Sequence, residues 1–194
     1  MPLLQCDDIV TPRLILITIT PETVRSEQAN DKRLAEFIGC TIPANWPHVH
    51  WEPHVFDFLL AQFEHHPEQI GWNRYIVFRH SYDSLTLIGT LGAFTKVAPN
   101  EVEIGYSVLP QFEGRGLATE AAKALVEYLR TDERITSIIA HTFPSIPGSI
   151  RVMEKCGMIY DGEGEEAGTI RYRLRLRPSN ENTPSSNDPH EAIP

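Results

Sequence analysis

The chain has 194 residues, 41% hydrophobic and 22% charged, a composition that suits one soluble domain with a core large enough to need no staples. Its formal net charge is −9, which argues against nucleic acid or an anionic membrane as the main partner and accommodates a cationic acceptor such as an amine. Three cysteines, Cys6, Cys40 and Cys156, without CxxC spacing argue against a disulfide framework or a zinc site and fit a reducing cytoplasm.

The opening "MPLLQCDDIV" has no basic stretch leading into an apolar one, so no signal peptide is expected, and no apolar run approaches the roughly 18 residues of a membrane span. "TPRLILITIT" (11–20) alternates and is rich in β-branched residues, the pattern of a strand. The next segment, 20–39, reads as a helix with Thr20 as N-cap, Pro21 at the first position and Gly39 as the stop. "TIPANWPHVHWEP" is a proline-rich loop, and "PHVFDFLLAQFEHH" is a second helix ending before Pro67. "NRYIVFRH" and "LTLIGTLGAF" form a strand pair around a turn at Asp83 and Ser84, and "EVEIGYSVL" is a fourth strand. "GLATEAAKALVEYLRTD" is a long helix, "ITSIIAHT" a fifth strand, and "GSIRVMEKCG" a short helix closed by Gly157. "MIYDGE" and "GTIRYRLRL" are the last strands. From Pro178 the polar, proline-rich "PSNENTPSSNDPHEAIP" reads as a disordered acidic tail after a single domain spanning 1–177. Consecutive strands early and β-α-β units late point to an α/β fold built on one mixed sheet.

The stretch "EIGYSVLPQFEGRGLATEAAKALVEYL" carries the chemistry. A strand ends, two glycines follow, and a helix starts at once. Backbone N–H groups in such a loop approach a ligand closely, and the helix terminus adds free donors and a positive dipole, which together suit a phosphate. A Walker loop would close on Lys-Ser or Lys-Thr, and a dinucleotide fingerprint would want a small residue where Thr119 stands, so both patterns fail. A plain strand–helix turn remains one reading and an anion site the other.

The segment resembles the pyrophosphate loop of the GNAT N-acetyltransferase superfamily, [RQ]-x-x-G-x-[GA]. It fits literally from Gln111, and from Glu113 with an acidic residue where the family has Arg or Gln; the second register is preferred because it places Ala118 in the first helical turn. "TPRLILITIT", "EIGYSVLP" and "GSIRVMEKCGMIYDGE" extend the resemblance to the branch typified by ribosomal-protein-alanine acetyltransferases, over residues 10–177. It implies a GNAT fold: a mixed, mostly antiparallel sheet of six to seven strands, helices on both faces, and a splay between the fourth and fifth strands that holds acetyl-CoA. By that resemblance Tyr106, Ser107 and Val108 pair with the pantetheine, and the amides of Gly114, Arg115, Gly116, Leu117, Ala118 and Thr119 take the pyrophosphate, with Arg115 available to neutralise a phosphate.

The reaction so implied is direct transfer of the acetyl group to a primary amine, either a protein N-terminus or a small molecule, in a ternary complex. It needs a base, and Glu103 and His141 are the two candidates. The departing thiolate needs a donor. Many relatives use a tyrosine in the last helix, where this chain has Met153, whereas the branch has a serine that matches Ser149, a residue equally suited to cap the helix. Three residues earlier the family places a cofactor-contacting Asn, and here Ile146 stands. Glu113, Ile146 and Met153 are the features that support a rival, a non-catalytic acyl-CoA-binding or regulatory protein, and a nucleotide-binding protein using the same loop is a third possibility. Monomer and homodimer are both compatible with the resemblance.

His48, His50, His54, His65 and His66 cluster without a zinc spacing, so no metal is expected. Trp46, Trp51 and Trp72 suit either an acceptor pocket or the core. Arg171, Arg173, Arg175 and Arg177 share one face of the last strand, read as solvated or ion-paired.

Overall fold

The computed structural model describes residues 8–31, 33–47, 53–81, 84–95 and 100–177. The predicted tail, together with Cys6, His48, His50, Trp51 and Asp83, lies outside the described residues.

Among the described residues eight strands form one sheet, β1 (Ile9–Val10), β2 (Leu14–Thr18), β3 (Arg74–Ser81), β4 (Ser84–Thr95), β5 (Glu101–Val108), β6 (Ser137–Thr142), β7 (Ile159–Glu163) and β8 (Ile170–Arg175). Their order is β1-β2-β3-β4-β5-β6-β8-β7. The expected six to seven strands are thus corrected to eight. The addition is β1, which precedes the predicted strand 11–20; that strand is a single shorter one, β2, and the chain folds back between the two at Pro12, which has no N–H to offer a ladder, pairing Ile9 with Leu16 and Val10 with Ile15. Thr11 seals the turn, its N–H donating to the Leu14 carbonyl at 2.9 Å and its Oγ1 accepting the Leu14 N–H at 3.0 Å.

The helix expected over 20–39 is two: α1 (Pro21–Gln28) and α2 (Arg33–Ile38). Thr20 and Thr23 form a reciprocal capping box at the start, as the Thr20–Pro21 pair foreshadows. The break falls at Asn30, whose φ of 50° is left-handed, a conformation asparagine tolerates better than most residues. Asp31 then gathers Ser26 Oγ, the Arg33 N–H and the Arg33 guanidinium on its carboxylate. α3 (Pro53–His65), α4 (Leu117–Arg130) and α5 (Pro147–Lys155) complete the set.

Two apolar clusters cover the two faces of the sheet. One joins α4 and α5 to β2–β6 through Leu16, Ile76, Ile104, Leu117, Leu125 and Met153. The other joins α1–α3 to the opposite face through Val24, Leu34, Leu59, Tyr75 and Leu87. Each buried leucine contributes about 2 kcal/mol, enough to fix α4 against the sheet through its Leu117–Ala121–Leu125–Leu129 stripe. α5 ends as expected: Gly157 (φ 82°) lets its N–H reach the Glu154 carbonyl and that of Met158 the Met153 carbonyl, while Met158 is buried.

All ladders are antiparallel except β5–β6, which is parallel and pairs Glu101, Val102 and Glu103 with Ser137, Ile138 and Ile139. The Arg171–Arg173 face is ion-paired: Arg171 and Arg173 both donate to Asp161, and Arg173 also reaches Glu101.

Candidate active site

Strand alternation sorts the side chains of β5 onto two faces. Val102, Ile104 and Val108 are buried in the α4–α5 cluster with Tyr106 packed against it, so Glu103, Gly105 and Ser107 look toward the α1–α3 side. β6 alternates likewise, with Ile138 and Ala140 in the α4–α5 cluster and His141 on the other face.

On that face Glu103 and His141 meet. His141 Nδ1 lies 2.8 Å from Glu103 Oε1, and both side chains are largely buried, 12% and 15% exposed. With the carboxylate ionised, Nδ1–H is the donor, which leaves Nε2 as an acceptor. Nε2 is buried and has no hydrogen-bond partner. The β7–β8 hairpin presses on this ring: a Cβ on Gly164 would fall 2.8 Å from His141 Cδ2, so only glycine allows so close a seat. The two residues offered as alternative bases are therefore a single pair.

On the opposite face Tyr106 meets Ser149. The Tyr106 hydroxyl lies 3.1 Å from Ser149 Oγ and 3.1 Å from the Ser149 carbonyl oxygen. Burial pushes the phenol up to about 12, more than its hydrogen bond to Ser149 lowers it. Ser149 sits at the third residue of α5 rather than at the cap, which is Ile146 and supplies no side-chain hydrogen bond. Met153, where a tyrosine acid would stand, is buried in the core. Ile146 is exposed at 47%.

The glycine loop connects β5 to α4 through a short 3-10 turn, Pro110–Phe112. Gly114 (φ 69°) and Gly116 (φ 74°) both adopt the left-handed conformation, and a Cβ at Gly114 would meet nothing within 4 Å. Gly116 is the N-cap and offers no side chain to satisfy the first N–H groups of α4, among them those of Leu117, Ala118 and Thr119. Leu117 itself is buried, so its amide and not its side chain is available. The Arg115 guanidinium stacks over Phe78 at 4.8 Å and Phe112 at 5.7 Å. Gln111 exchanges amide hydrogen bonds with Asn45 at 3.2 Å. Tyr106, Ser107 and Val108 pair with Leu91, Thr90 and Gly89 of β4. This open, amide-rich turn fits a diphosphate.

One residue that the sequence did not flag belongs to this loop. Arg13, from the β1–β2 turn, donates to the Arg115 carbonyl at 3.0 Å and to Glu120 of α4 at 2.7 Å. It lies more than a hundred positions away in sequence, and no local pattern marks it.

Of the remaining candidates, Trp72 is buried, and Trp46 packs edge-on against Tyr75 while its indole N–H donates to Glu27 at 2.6 Å. His65 is within 2.8 Å of the Ala61 carbonyl and His66 pairs with Glu68 at 3.4 Å. Among the described residues no group of His, Cys, Asp and Glu is arranged to hold a metal, and no helix is long and apolar enough to cross a membrane.

Comparison with known proteins gives the same frame. A solved GNAT-family acetyltransferase from Bacillus anthracis superposes with a TM-score of 0.58 at 20% identity, covering 88% of this chain and 99% of that one. The RimL ribosomal L7/L12 α-N-protein acetyltransferase, solved in complex with coenzyme A, gives 0.59 at 15% identity over 87% and 98%. In sequence, the uncharacterised N-acetyltransferase YnaD of Bacillus subtilis (strain 168) is 35% identical over 80 residues, 41% of this chain and 47% of that protein. The chain spans about half the length of the curated relatives it matches. A family profile described as acetyltransferase (GNAT) domain matches residues 13–159, and this chain belongs to the GNAT acetyltransferase family.

Proposed function

We propose that the chain is an N-acetyltransferase that moves the acetyl group of acetyl-CoA directly to a primary amine, on a protein N-terminus or a small molecule, with no covalent enzyme intermediate. The observation that carries this reading is the Glu103–His141 pair at 2.8 Å, placed just where the three-rung β5–β6 ladder ends. We read the end of that ladder as the opening between the strands that admits the thioester.

The amine reaches the site protonated and must lose a proton before its lone pair can attack the acetyl carbon. Glu103 is the base in this reading and accepts that proton on its carboxylate. His141 is the positioning residue: its Nδ1–H holds the carboxylate, and its Nε2 is closed off from solvent and acceptor alike. As the new C–N bond forms, the C–S bond breaks and its electron pair stays on sulfur, and the nitrogen then gives its second proton to that thiolate, so that neutral amide and CoA thiol leave. Ser149 Oγ–H donates a hydrogen bond to that thiolate when Tyr106 O–H turns from the Ser149 carbonyl to Ser149 Oγ, freeing the serine proton. The amides of Gly114 to Thr119 hold the diphosphate, and Glu113 beside them is exposed to solvent.

The test is thermal unfolding with acetyl-CoA, CoA, ATP or NAD, followed by an amine panel assayed for free thiol. A ligand at about 100 times its Kd adds roughly 2.7 kcal/mol to stability, a shift of several degrees. Stabilisation by acetyl-CoA and CoA but not by ATP or NAD, with turnover of at least one amine, is the expected result. Stabilisation without turnover of any amine makes the chain a binding protein. Stabilisation by ATP or NAD alone replaces the proposal altogether.

A further inference from the structure

We infer that Arg13 is a positioning residue for the diphosphate loop, holding the Arg115–Gly116 peptide so that the Gly116 N–H faces the ligand. The inference rests on the proposed cofactor site. A trans peptide is planar, with its C=O and N–H on opposite sides. Arg13 Nη1 donates to the Arg115 carbonyl at 3.0 Å, so the N–H of the same peptide, that of Gly116, is turned to the other side of the loop. The guanidinium closes over Gly116, its Nη2 3.7 Å from where a Cβ would stand.

The clamp is anchored at its base. Arg79 N–H donates to the Arg13 carbonyl at 3.0 Å, and Arg79 Nη2 donates to the Thr11 and Pro12 carbonyls at 2.9 Å each. The same arginine settles a charge problem. Glu120 lies in the first turn of α4, and an unpaired carboxylate there would oppose a diphosphate. Arg13 Nε donates to Glu120 Oε2 at 2.7 Å, its backbone N–H to Oε1 at 2.9 Å, and Thr11 Oγ1 also to Oε1 at 2.6 Å. Burial alone would raise this carboxyl; the hydrogen bonds from Thr11 and Arg13 reverse that and hold it below its usual value. Arg13 is half-exposed, and such pairs add little to fold stability. Its effect therefore falls on the loop.

The experiment is calorimetric binding of CoA and of pantetheine, which lacks the diphosphate, to wild type, Arg13→Gln and Arg13→Lys, with thermal midpoints as the folding control. Arg13→Gln is expected to weaken CoA about tenfold, the worth of one charge-assisted hydrogen bond, and to leave pantetheine unchanged. Arg13→Lys keeps the charge without the fork and is expected to fall between the two; it carries the test if the Gln variant does not fold. Equal losses for both ligands would make Arg13 a general structural support, and unchanged CoA affinity would remove it from the site; either overturns the inference. Wild type that binds CoA but acetylates no amine defeats the transferase reading and leaves this one standing. Wild type that binds no CoA defeats both.

Discussion

The two faces of β5 carry two different kinds of polar pair. Toward α1–α3, a carboxylate and an imidazole meet at 2.8 Å; toward α4–α5, a phenol and a serine hydroxyl meet at 3.1 Å. The first pair holds the carboxylate proposed as the base, and the second, with its phenol pushed up to about 12, keeps its proton at neutral pH and serves as a hydrogen-bond donor. One extended strand can therefore present an acceptor and a donor on opposite sides of a bound thioester because side chains alternate every residue. A helix of the same length would put both on neighbouring turns of one face or scatter them around its axis.

The sharpest way to break this comparison is Glu103→Gln. The amide side chain keeps the shape and still accepts from His141 Nδ1 but takes no proton. We expect kcat to fall by a hundred- to ten-thousandfold, on the order of what general-base catalysis contributes, with CoA affinity retained. A smaller loss in steady-state assays, alongside a large one for His141→Ala, would exchange the roles of the two residues.

The opposite face is expected to give less. Ser149→Ala and Tyr106→Phe should each lower kcat about tenfold, the worth of roughly 1.4 kcal/mol. The double variant should be little worse than Ser149→Ala, because Tyr106 acts through that serine. Additive losses would mean that the tyrosine touches the thioester independently.

The smallest effect concerns a carboxylate outside both pairs and separates buried charge from catalysis. Burial raises Glu27 above its usual 4.5, more than the hydrogen bonds from Tyr75 and Trp46 lower it. A raised folded-state value means that its stabilisation is full below the unfolded value and is lost as pH rises through the folded one. Glu27→Gln keeps one acceptor oxygen for Trp46, can donate its Nε2–H to the Tyr75 hydroxyl oxygen in place of accepting from it, and cannot ionise. Urea midpoints of the variant should gain on wild type as pH rises from about 4.5, with activity unchanged in shape. A constant difference at every pH would show that Glu27 stays neutral or that its partners hold it ionised.

Local patterns announced much of this architecture. The stripe of α4, the Thr20–Pro21 start and the Gly157 stop are written in neighbouring residues, and the folded chain uses them as such. The departures are also local in cause. A two-residue strand just before Pro12 is too short for alternation to reveal, and a long helical pattern breaks when an asparagine accepts a left-handed turn. The site was legible by residue and not by relation. Glu103 and His141 stood out singly, yet their contact depends on a parallel register set by α4. Tyr106 appeared as a backbone partner only, since nothing near it reveals a serine 43 positions on. Arg13 was invisible because its partners are 102 and 107 residues away.

The parallel junction between β5 and β6 has a mechanical consequence. Five strands lie on one side of it and three on the other, and the ladder that joins them has three rungs. The two halves are sutured along a short seam, while β2–β3, β3–β4, β4–β5 and β6–β8 are laced over five to seven pairs each. A ligand seated beyond the last rung would add a strut to that seam. Amide hydrogen exchange in β6 would then slow on ligand addition more than exchange in β3, whose both edges are already laced, and the sheet would open as one cooperative unit only when the seam is filled.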